Sequence, residues 1–294
     1  MINRILILGT GLIGASTGLA LRASGFSGEI AGFDASASEL DTAQSSGAID
    51  VFARSRADAL DFARTADVIL LAVPVLAILD WMQLLAPVLT DGDGPPQLLT
   101  DVGSTKLQIT EKARELFPSE GRARFLPGHP MAGKESGGAA LAEPTLFRDA
   151  IWLFSPLDAQ SEPSPIEQAW RALVAGFGAR TLDLAPQRHD ELCAWVSHLP
   201  QMLSTALSAL LEDTFGADPK SRDEIAAIGG RALRETTRLG ASPYSMWRDV
   251  ALSNTEPIAA TLLALEQRLQ HLRENLRTHE LREEFLLANQ FRRR

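Results

Sequence analysis

The sequence predicts an α/β protein in which a doubly wound parallel sheet is followed by an all-helical half. Short apolar runs alternate with segments of helical periodicity through the first half of the chain. The second half has a helical pattern throughout, apart from one short candidate strand at residues 180–184. The runs typical of strands buried on both faces lie at residues 5–8, 29–34, 67–74, 97–102, 124–126 and 151–154. Such alternation predicts a sheet with helices on both faces.

The predicted domain boundary lies in a segment rich in serine and proline, at residues 155–165. Composition of this kind is typical of a linker. We therefore assign residues 1–160 to the sheet domain and residues 161–294 to a helical domain. A chain of 294 residues is long enough for two domains of ordinary size.

The helical half contains a near-heptad stripe of apolar residues. Their spacing is 4, 3, 4, 3 and 4, which places on one face of a long helix Ile258, Leu262, Leu265, Leu269, Leu272 and Leu276. The stripe either packs within its own domain or forms the seam of a dimer. We favour a homodimer through the helical domain, because so long a helix needs a partner to cover its apolar face.

Charge, hydropathy and cysteine content exclude several classes of function. The net charge is −9, and an acidic chain is a poor candidate for binding nucleic acid or a membrane surface, which needs basic patches. No apolar run approaches the ~18 residues of a membrane span, and the N-terminus lacks a secretory pattern. Cys193 is the only cysteine, which excludes an intrachain disulfide and a cysteine-cluster metal site. We expect a cytoplasmic protein without a metal.

A glycine motif, Gly9-Thr10-Gly11-Leu12-Ile13-Gly14, follows the first predicted strand and opens the first predicted helix. In this context G-x-G-x-x-G predicts a dinucleotide site. Gly9 permits the tight turn, Gly11 lets a pyrophosphate approach the backbone, and Gly14 lets the helix pack close to the strand. The pyrophosphate is expected at the helix N-terminus, where N–H groups and the helix dipole favour an anion. The alternative is a glycine-rich turn that binds no nucleotide.

Asp34 lies 20 residues after Gly14, at the end of the second predicted strand. A carboxylate at this place binds the hydroxyls of the adenosine ribose. It would repel a 2′-phosphate, and no arginine follows it within residues 35–38, so we predict NAD, with NADP less favoured. The predicted cofactor site also includes Leu12, Ile13, Val73, Pro74 and Gly103.

Two further segments lie at the carboxyl ends of predicted strands, where ligands bind in open α/β sheets. The first, residues 101–106, leaves a strand and enters a helix, so Ser104 and Thr105 could simply cap that helix. The second, residues 127–137, places His129 between glycine and proline on a stiff, exposed turn. From this pattern alone His129 is either a structural loop histidine or a functional one.

Together, the glycine motif, residues 101–106 and residues 128–133 with Glu135 resemble the prephenate/arogenate dehydrogenase family of tyrosine biosynthesis. The second half agrees, since the helical-domain signatures of that family are matched in order by residues 189–190, 197–200, 237–239 and 246–249. The resemblance covers nearly the whole chain. It implies an NAD-binding Rossmann-type domain followed by a helical dimerisation domain.

The reaction that the resemblance implies is the oxidation of a cyclohexadienol by hydride transfer to NAD, followed by loss of carbon dioxide. Prephenate would give 4-hydroxyphenylpyruvate, and arogenate would give tyrosine. The resemblance makes His129 the acceptor of the hydroxyl proton, since a neutral imidazole can accept a proton near pH 7. Ser104 then hydrogen-bonds His129 or the ring hydroxyl near the nicotinamide.

The resemblance also assigns residues to an anionic substrate. Arg238 is expected to bind a carboxylate in two bonds, with Arg231 and Arg234 as rivals. Trp247 either lies near the site or anchors the core. Glu135 either orients the pocket by pairing with an arginine or is a solvated loop residue.

Ser197, His198 and Gln201 complete the predicted substrate site. His189 and His198 are nine residues apart on one predicted helix and point to opposite faces, unless Pro200 bends it. They are therefore not a metal pair, and we expect one of them to be structural. Gln201 departs from the family, which commonly has histidine there. Its amide could bond either the keto group of prephenate or the ammonium group of arogenate.

Two other functions remain open. One is another two-domain dehydrogenase acting on small hydroxy acids; such enzymes usually rely on a lysine in the helical domain, where this chain has only Lys220. The other is a non-catalytic module that senses a dinucleotide. That function would leave His129 and Arg238 without a role.

Overall fold

The computed structural model describes residues 2–90, 94–118, 121–158 and 160–293, and the chain divides into two compact units. The first unit contains the residues up to Cys193 together with Ala241–Ser253. The second contains Ala194–Gly240 and the residues from Asn254 onward. Within the described ranges, no helix combines the length and the apolar character that crossing a membrane requires.

Strands and helices are numbered in chain order. The strands are β1 (Arg4–Leu8), β2 (Glu29–Phe33), β3 (Val51–Phe52), β4 (Val68–Leu71), β5 (Gln97–Asp101), β6 (Ala123–Leu126), β7 (Gly128–Pro130), β8 (Ile151–Phe154) and β9 (Arg180–Asp183). The helices are α1 (Leu12–Ala23), α2 (Ala37–Ser45), α3 (Arg56–Thr65), α4 (Val75–Thr90), α5 (Leu107–Leu116), α6 (Pro165–Gly176), α7 (Pro186–Cys193), α8 (Leu199–Phe215), α9 (Pro219–Ile228), α10 (Gly230–Thr237), α11 (Tyr244–Ser253), α12 (Thr255–Glu274) and α13 (Glu280–Arg292).

A parallel sheet of order β3-β2-β1-β4-β5-β6 forms the centre of the first unit. Alternate residues of β4 enter two cores: Ile69 and Leu71 pack with α3, α4 and α5, whereas Val68 and Leu70 pack with α1, α2 and α6. The continuous apolar runs predicted this, because such a strand is buried on both faces. The strand order reverses between β1 and β4, so their carboxyl ends form the crevice where such sheets bind ligands. The predicted doubly wound sheet is confirmed.

A smaller sheet of order β7-β8-β9 extends the first unit beyond the predicted boundary at residue 160. β9 pairs in parallel with β8. Trp170 of α6 packs edge-on against Trp152 of β8, with ring centroids 6.5 Å apart. Residues 161–193 therefore belong to the first unit rather than to the predicted helical domain, because their apolar side chains share its core. The helix α11 also belongs to the first unit.

His129 lies in β7 and not on the exposed turn that the sequence predicts. Its backbone is paired with Leu153 of β8 in antiparallel register, and only 8% of its surface is exposed. The Gly-His-Pro context could not reveal this strand, because β7 is defined by a partner strand from a distant part of the sequence.

The buried carboxylate of Asp101, at the end of β5, connects the segments that follow β5 and β6. Its Oδ2 accepts a hydrogen bond from Gly103 N (2.8 Å), and its Oδ1 accepts one from Gly128 N (3.1 Å). Lys106, which is equally buried, forms an ion pair with the same carboxylate. Because buried N–H groups need acceptors, this one side chain holds both segments in place.

The second unit begins with a π-helical turn, Ala194–His198, which leads directly into α8. The sequence predicts one regular helix through His189 and His198. Their predicted angular separation does not apply, since a π-helical turn changes the number of residues per turn.

The predicted apolar stripe is only partly covered in the second unit. Ile258 is 5% exposed, whereas Leu262, Leu269 and Leu276 are exposed. α12 ends at Glu274, so Leu276 lies beyond the helix that was expected to carry it. Apolar residues of α8 and α12 line an open groove of about 560 Å³.

Replacing Lys106 tests the buried ion pair. Lys106→Met should lower the free energy of unfolding by about 3–5 kcal/mol, because the Asp101 carboxylate stays buried without its counter-charge. Lys112→Met is the matched control: Lys112 pairs at the surface with Glu115 at 3.0 Å, and such pairs contribute only about 0–1 kcal/mol. Urea unfolding followed by tryptophan fluorescence measures both variants. Equal losses would contradict the role given to Lys106.

Candidate active site

The glycine motif forms the turn between β1 and α1. Gly9 has a φ of +95°, and a side chain there would meet the carbonyl oxygen of Ala72 at 2.3 Å. A side chain at Gly14 would meet the carbonyl oxygen of Gly9 at 1.9 Å. At Gly11, in contrast, no atom of the described residues outside its chain neighbours and its own helix backbone lies within 4 Å of the place of a Cβ, so its backbone is open to a ligand.

The start of α1 fits the pyrophosphate of a dinucleotide. Gly11 is its N-cap residue, and among the described residues no side chain caps the helix there. Uncapped N–H groups and the helix dipole favour an anion. Asp34 accepts hydrogen bonds from Thr10 N (2.8 Å) and Ser36 N (2.9 Å), which hold its carboxylate next to the glycine motif.

A pocket of about 360 Å³ lies against the glycine motif and the two segments that Asp101 connects. The predicted site residues that line it are Gly11, Leu12, Ile13, Val73, Pro74, Gly103, Ser104, His129 and Glu135. Its volume is that of a small-molecule site. From α11, the described lining residues are Met246 and Val250, one turn apart, rather than the predicted Trp247.

Asp190, and not Ser104, caps α5. Its two carboxylate oxygens accept hydrogen bonds from Lys106 N (2.7 Å) and Leu107 N (2.9 Å). The hydroxyl of Thr105 lies 2.8 Å from Oγ of Ser253. The alternative in which Ser104 and Thr105 cap this helix therefore does not hold.

His129 is connected to two further buried side chains. Its Nδ1 lies 2.9 Å from Nε2 of His189, and Nδ1 of His189 lies 2.8 Å from Oδ1 of Asp190. Burial lowers the pKa of His189, although the hydrogen bond to Asp190 acts in the opposite direction. His189 is therefore neutral near pH 7.

Cys193 lies against the same histidine, with its Sγ 3.7 Å from Nε2 of His189. Burial raises the pKa of the Cys193 thiol to about 12. The thiol therefore stays protonated and is a poor nucleophile, since the thiolate is the reactive form.

The sequence motifs predict no functional role for Asp101, His189 or Asp190. A signal existed for Asp101, which is a charged residue at the end of an apolar strand and just before a glycine-containing turn. His189 and Asp190 are adjacent in sequence, but 60 residues separate His189 from His129. Only the fold brings them together.

Three predicted substrate residues of the second unit lie in the π-helical turn and in the first turn of α8 that follows it. Ser197 is half-buried and belongs to the π-helical turn, which ends at His198. His198 is buried, and its Nδ1 lies 3.1 Å from Nδ2 of Asn254. Because Nδ2 of an asparagine can only donate, Nδ1 of His198 is the acceptor of this bond. Gln201 follows in the first turn of α8.

Gln201 holds the turn that carries Arg238. Its Nε2 donates hydrogen bonds to the carbonyl oxygen of Leu239 (2.7 Å) and to Oγ1 of Thr205 (3.1 Å). Arg238 is exposed and begins the 3-10 helical turn Arg238–Ala241. Both amide hydrogens of Gln201 are engaged within the second unit. The amide can therefore offer a ligand only its Oε1, which accepts a hydrogen bond and cannot donate one.

Comparison with known protein families matches two regions of the chain. Residues 17–182 match the description "Prephenate dehydrogenase, nucleotide-binding domain", and residues 185–290 match "Prephenate dehydrogenase, dimerization domain". The glycine motif lies just before the first matched region. Among curated relatives, the prephenate dehydrogenase of Lactococcus lactis is 35% identical over 273 residues, which are 92% of this chain and 70% of the relative.

Solved structures give the same result. The prephenate dehydrogenase of Aquifex aeolicus, in complex with hydroxyphenyl propionate and NAD+, superposes with a TM-score of 0.83 at 26% identity. That match covers 100% of this chain and 98% of the other. The arogenate dehydrogenase of Synechocystis superposes with a TM-score of 0.75 at 28% identity, over 98% of each chain.

The fold and the family resemblance drawn from the sequence are both confirmed by these matches. The nucleotide-binding description alone covers more than half of the chain. Together with the Lactococcus relative, it shows that this chain belongs to the prephenate dehydrogenase family.

Proposed function

We propose that this protein catalyses the oxidative decarboxylation of prephenate or arogenate in tyrosine biosynthesis, with NAD as the hydride acceptor. The observation that carries the proposal is the pocket in which the glycine motif, Ser104 and His129 meet. A module that only senses a dinucleotide has no use for a buried, hydrogen-bonded histidine in this pocket. The relatives named above support the substrate class.

The chemistry requires orientation and one proton acceptor. NAD, when bound, accepts the hydride from the ring carbon that bears the hydroxyl group. His129 takes the hydroxyl proton as that C–H bond breaks, which gives a ring ketone. The bond to the ring carboxylate then breaks, carbon dioxide leaves, and the electron pair enters the ring to form a phenolate. His129 returns its proton to the phenolate oxygen, so the step balances without another reactant.

The cofactor preference rests on Asp34. Its carboxylate is held beside the glycine motif by two backbone N–H groups, at the place where the adenosine ribose binds in such sheets. A carboxylate accepts bonds from two ribose hydroxyls but repels a 2′-phosphate. We therefore propose NAD rather than NADP as the cofactor.

The substrate is an anion, and we propose Arg238 as its carboxylate ligand. A guanidinium group matches a carboxylate in two parallel bonds, which a lysine cannot do. Gln201 supports this role by holding the turn at Leu239. We also propose Glu135, which lines the pocket, together with Ser197 and His198, as residues of the substrate site. Trp247 is proposed to lie near the site rather than in the lining of the pocket.

Gln201 also bears on substrate preference. From the sequence alone, its amide could bond either the keto group of prephenate or the ammonium group of arogenate. A keto group needs a donor, and both amide hydrogens of Gln201 are engaged by Leu239 and Thr205. Its Oε1 suits an ammonium donor, so we propose that arogenate is the better substrate.

We further propose that the second unit mediates a homodimer. Leu262 and Leu269 of α12 are exposed, as are several apolar residues of α13. Exposed apolar faces of this kind mark protein interfaces. The family description of residues 185–290 as a dimerization domain supports the same role.

Replacing the catalytic histidine tests the proposed chemistry. His129→Asn should lower kcat by about 10²–10⁴-fold, because the variant lacks the proton acceptor, with little change in the Kd for NAD. NADH absorbance and cofactor titration measure the two quantities. His279→Gln is the control, since His279 has an 84% exposed side chain far along the sequence from this site. Turnover near that of the unmodified enzyme would contradict the function.

Replacing Arg238 tests the carboxylate contact. Arg238→Ala should raise the KM for the substrate far more than it lowers kcat, and Arg238→Lys should restore only part of the affinity. Arg231→Ala is the control, because Arg231 is 85% exposed and pairs with Glu235 on its own helix. An unchanged KM in Arg238→Ala would show that Arg238 does not bind the carboxylate. Arg234 would then be the next arginine to replace.

Comparing substrates tests the preference inferred from Gln201. Arogenate should show a higher kcat/KM than prephenate, and NAD should be preferred over NADP for either substrate. Initial rates with both substrates and both cofactors measure this directly. A higher kcat/KM for prephenate would show that Gln201 does not select the side chain.

A further inference from the structure

His129, His189 and Asp190 form a continuous chain of hydrogen bonds that begins at the pocket, and we name this set the histidine relay. All three residues belong to the first unit and are buried. A neutral imidazole has one donor and one acceptor nitrogen, so each bond in the relay has a direction. Asp190, at the other end of the relay, decides these directions, because a carboxylate can only accept.

Asp190 defines the first direction. Its carboxylate oxygens accept bonds from two backbone N–H groups, those of Lys106 and Leu107, which can only donate. A carboxylate can only accept, so Nδ1 of His189 carries the proton of the 2.8 Å bond to Oδ1.

The position of the proton on His189 decides the direction of its bond to His129. Burial lowers the pKa of His189 and keeps the ring neutral; the charge of Lys106 acts in the same direction, whereas Asp190 and Asp101 act in the opposite one. With the proton on Nδ1, Nε2 of His189 is an acceptor. The protonated thiol of Cys193 lies farther from Nε2, at 3.7 Å, so it does not replace His129 as the donor to the single lone pair of that nitrogen.

We propose that His189 is a positioning residue that, together with Asp190, holds His129 in the tautomer with its proton on Nδ1. Nε2 is then the only nitrogen of the neutral His129 ring that can take the hydroxyl proton. This inference rests on the proposed function of His129 as the base. It adds that His129 already carries its proton on Nδ1 before substrate binds. The proton therefore does not have to move from one ring nitrogen to the other during the reaction.

The relay also stabilises the protonated form of His129. When Nε2 takes a proton, His129 becomes a cation whose Nδ1–H already points to an acceptor on His189. His189 in turn is bonded to the negative charge of Asp190. Backbone N–H groups at the start of α5 hold the Asp190 carboxylate in place. The negative charge that stabilises protonated His129 therefore moves little during the reaction.

A metal ion is the competing explanation for this cluster. The ligand atoms of His129, His189 and Cys193 lie within 4.8 Å of one another. However, the two nitrogens are 2.9 Å apart, whereas two nitrogens bound to one tetrahedral zinc ion are separated by about 3.3 Å. The distances therefore favour direct hydrogen bonds.

Two amide substitutions at position 189 separate a positioning role from simple packing. The amide of His189→Gln reaches the place of Nε2 and can accept the bond from His129. The shorter amide of His189→Asn reaches only the place of Nδ1 and keeps the bond to Asp190. We expect kcat to fall by about 10²-fold or more in His189→Asn and by less than about 10-fold in His189→Gln, with the KM for substrate little changed.

His279→Gln serves as the control for the substitution itself, and thermal unfolding of each variant shows whether it folds. Equal losses of kcat in folded His189→Asn and His189→Gln would overturn the positioning role. Unchanged activity after dialysis against EDTA is expected, and a loss that zinc restores would favour the metal explanation and overturn the relay.

Nuclear magnetic resonance of 15N-labelled histidine tests the tautomer without using activity. At pH 8, without ligands, one-bond and long-range N–H correlations should show the proton of His129 on Nδ1, and it should redistribute toward Nε2 in His189→Asn. A proton on Nε2 of His129 in the unmodified protein would overturn the proposal. If the tautomer is as expected but neither prephenate nor arogenate is oxidised, the proposed function fails while the relay stands.

Discussion

The active site depends on one buried carboxylate. Asp101 accepts bonds from the backbone of Gly103 and of Gly128, so it holds together the segment that carries Ser104 and the strand that carries His129. Lys106 compensates its charge, and the backbone N–H of Lys106 is bonded to Asp190. A buried ion pair of this kind adds little net stability, but its bonds have fixed directions. The position of His129, the proposed catalytic base, is thus coupled to the position of the helix α5.

The proposed ligands are anions, although the chain as a whole is acidic. The chain has a net charge of −9, yet both proposed ligands are anions. A few groups explain this difference: uncapped N–H groups at Gly11 suit the pyrophosphate, and the guanidinium group of Arg238 is the proposed partner of a carboxylate. Net charge governs binding to extended polyanions such as nucleic acid, whereas a pocket is governed by the few groups that line it.

Much of the first unit was predictable because its determinants are local. β1 and β4 are runs of consecutive apolar residues, and the glycine motif needs only its neighbouring strand and helix to be interpreted. The domain boundary was harder to predict from the sequence. A serine- and proline-rich segment looked like a linker, but the packing of Trp170 against Trp152 keeps residues 161–193 with the sheet. Proline content reports local backbone preference and says nothing about which side chains later share a core.

The sequence by itself determined the family and the fold class. It also predicted the chemical groups of the proposed site: a glycine motif for a dinucleotide, a histidine for proton transfer and an arginine for a carboxylate. Only the tertiary structure decided that His129 lies in a buried strand, that Asp190 rather than Ser104 caps α5, and that the amide hydrogens of Gln201 are already engaged. The physical reason is the same in each case. A hydrogen bond depends on the position of both partners, and these partners are far apart in the sequence.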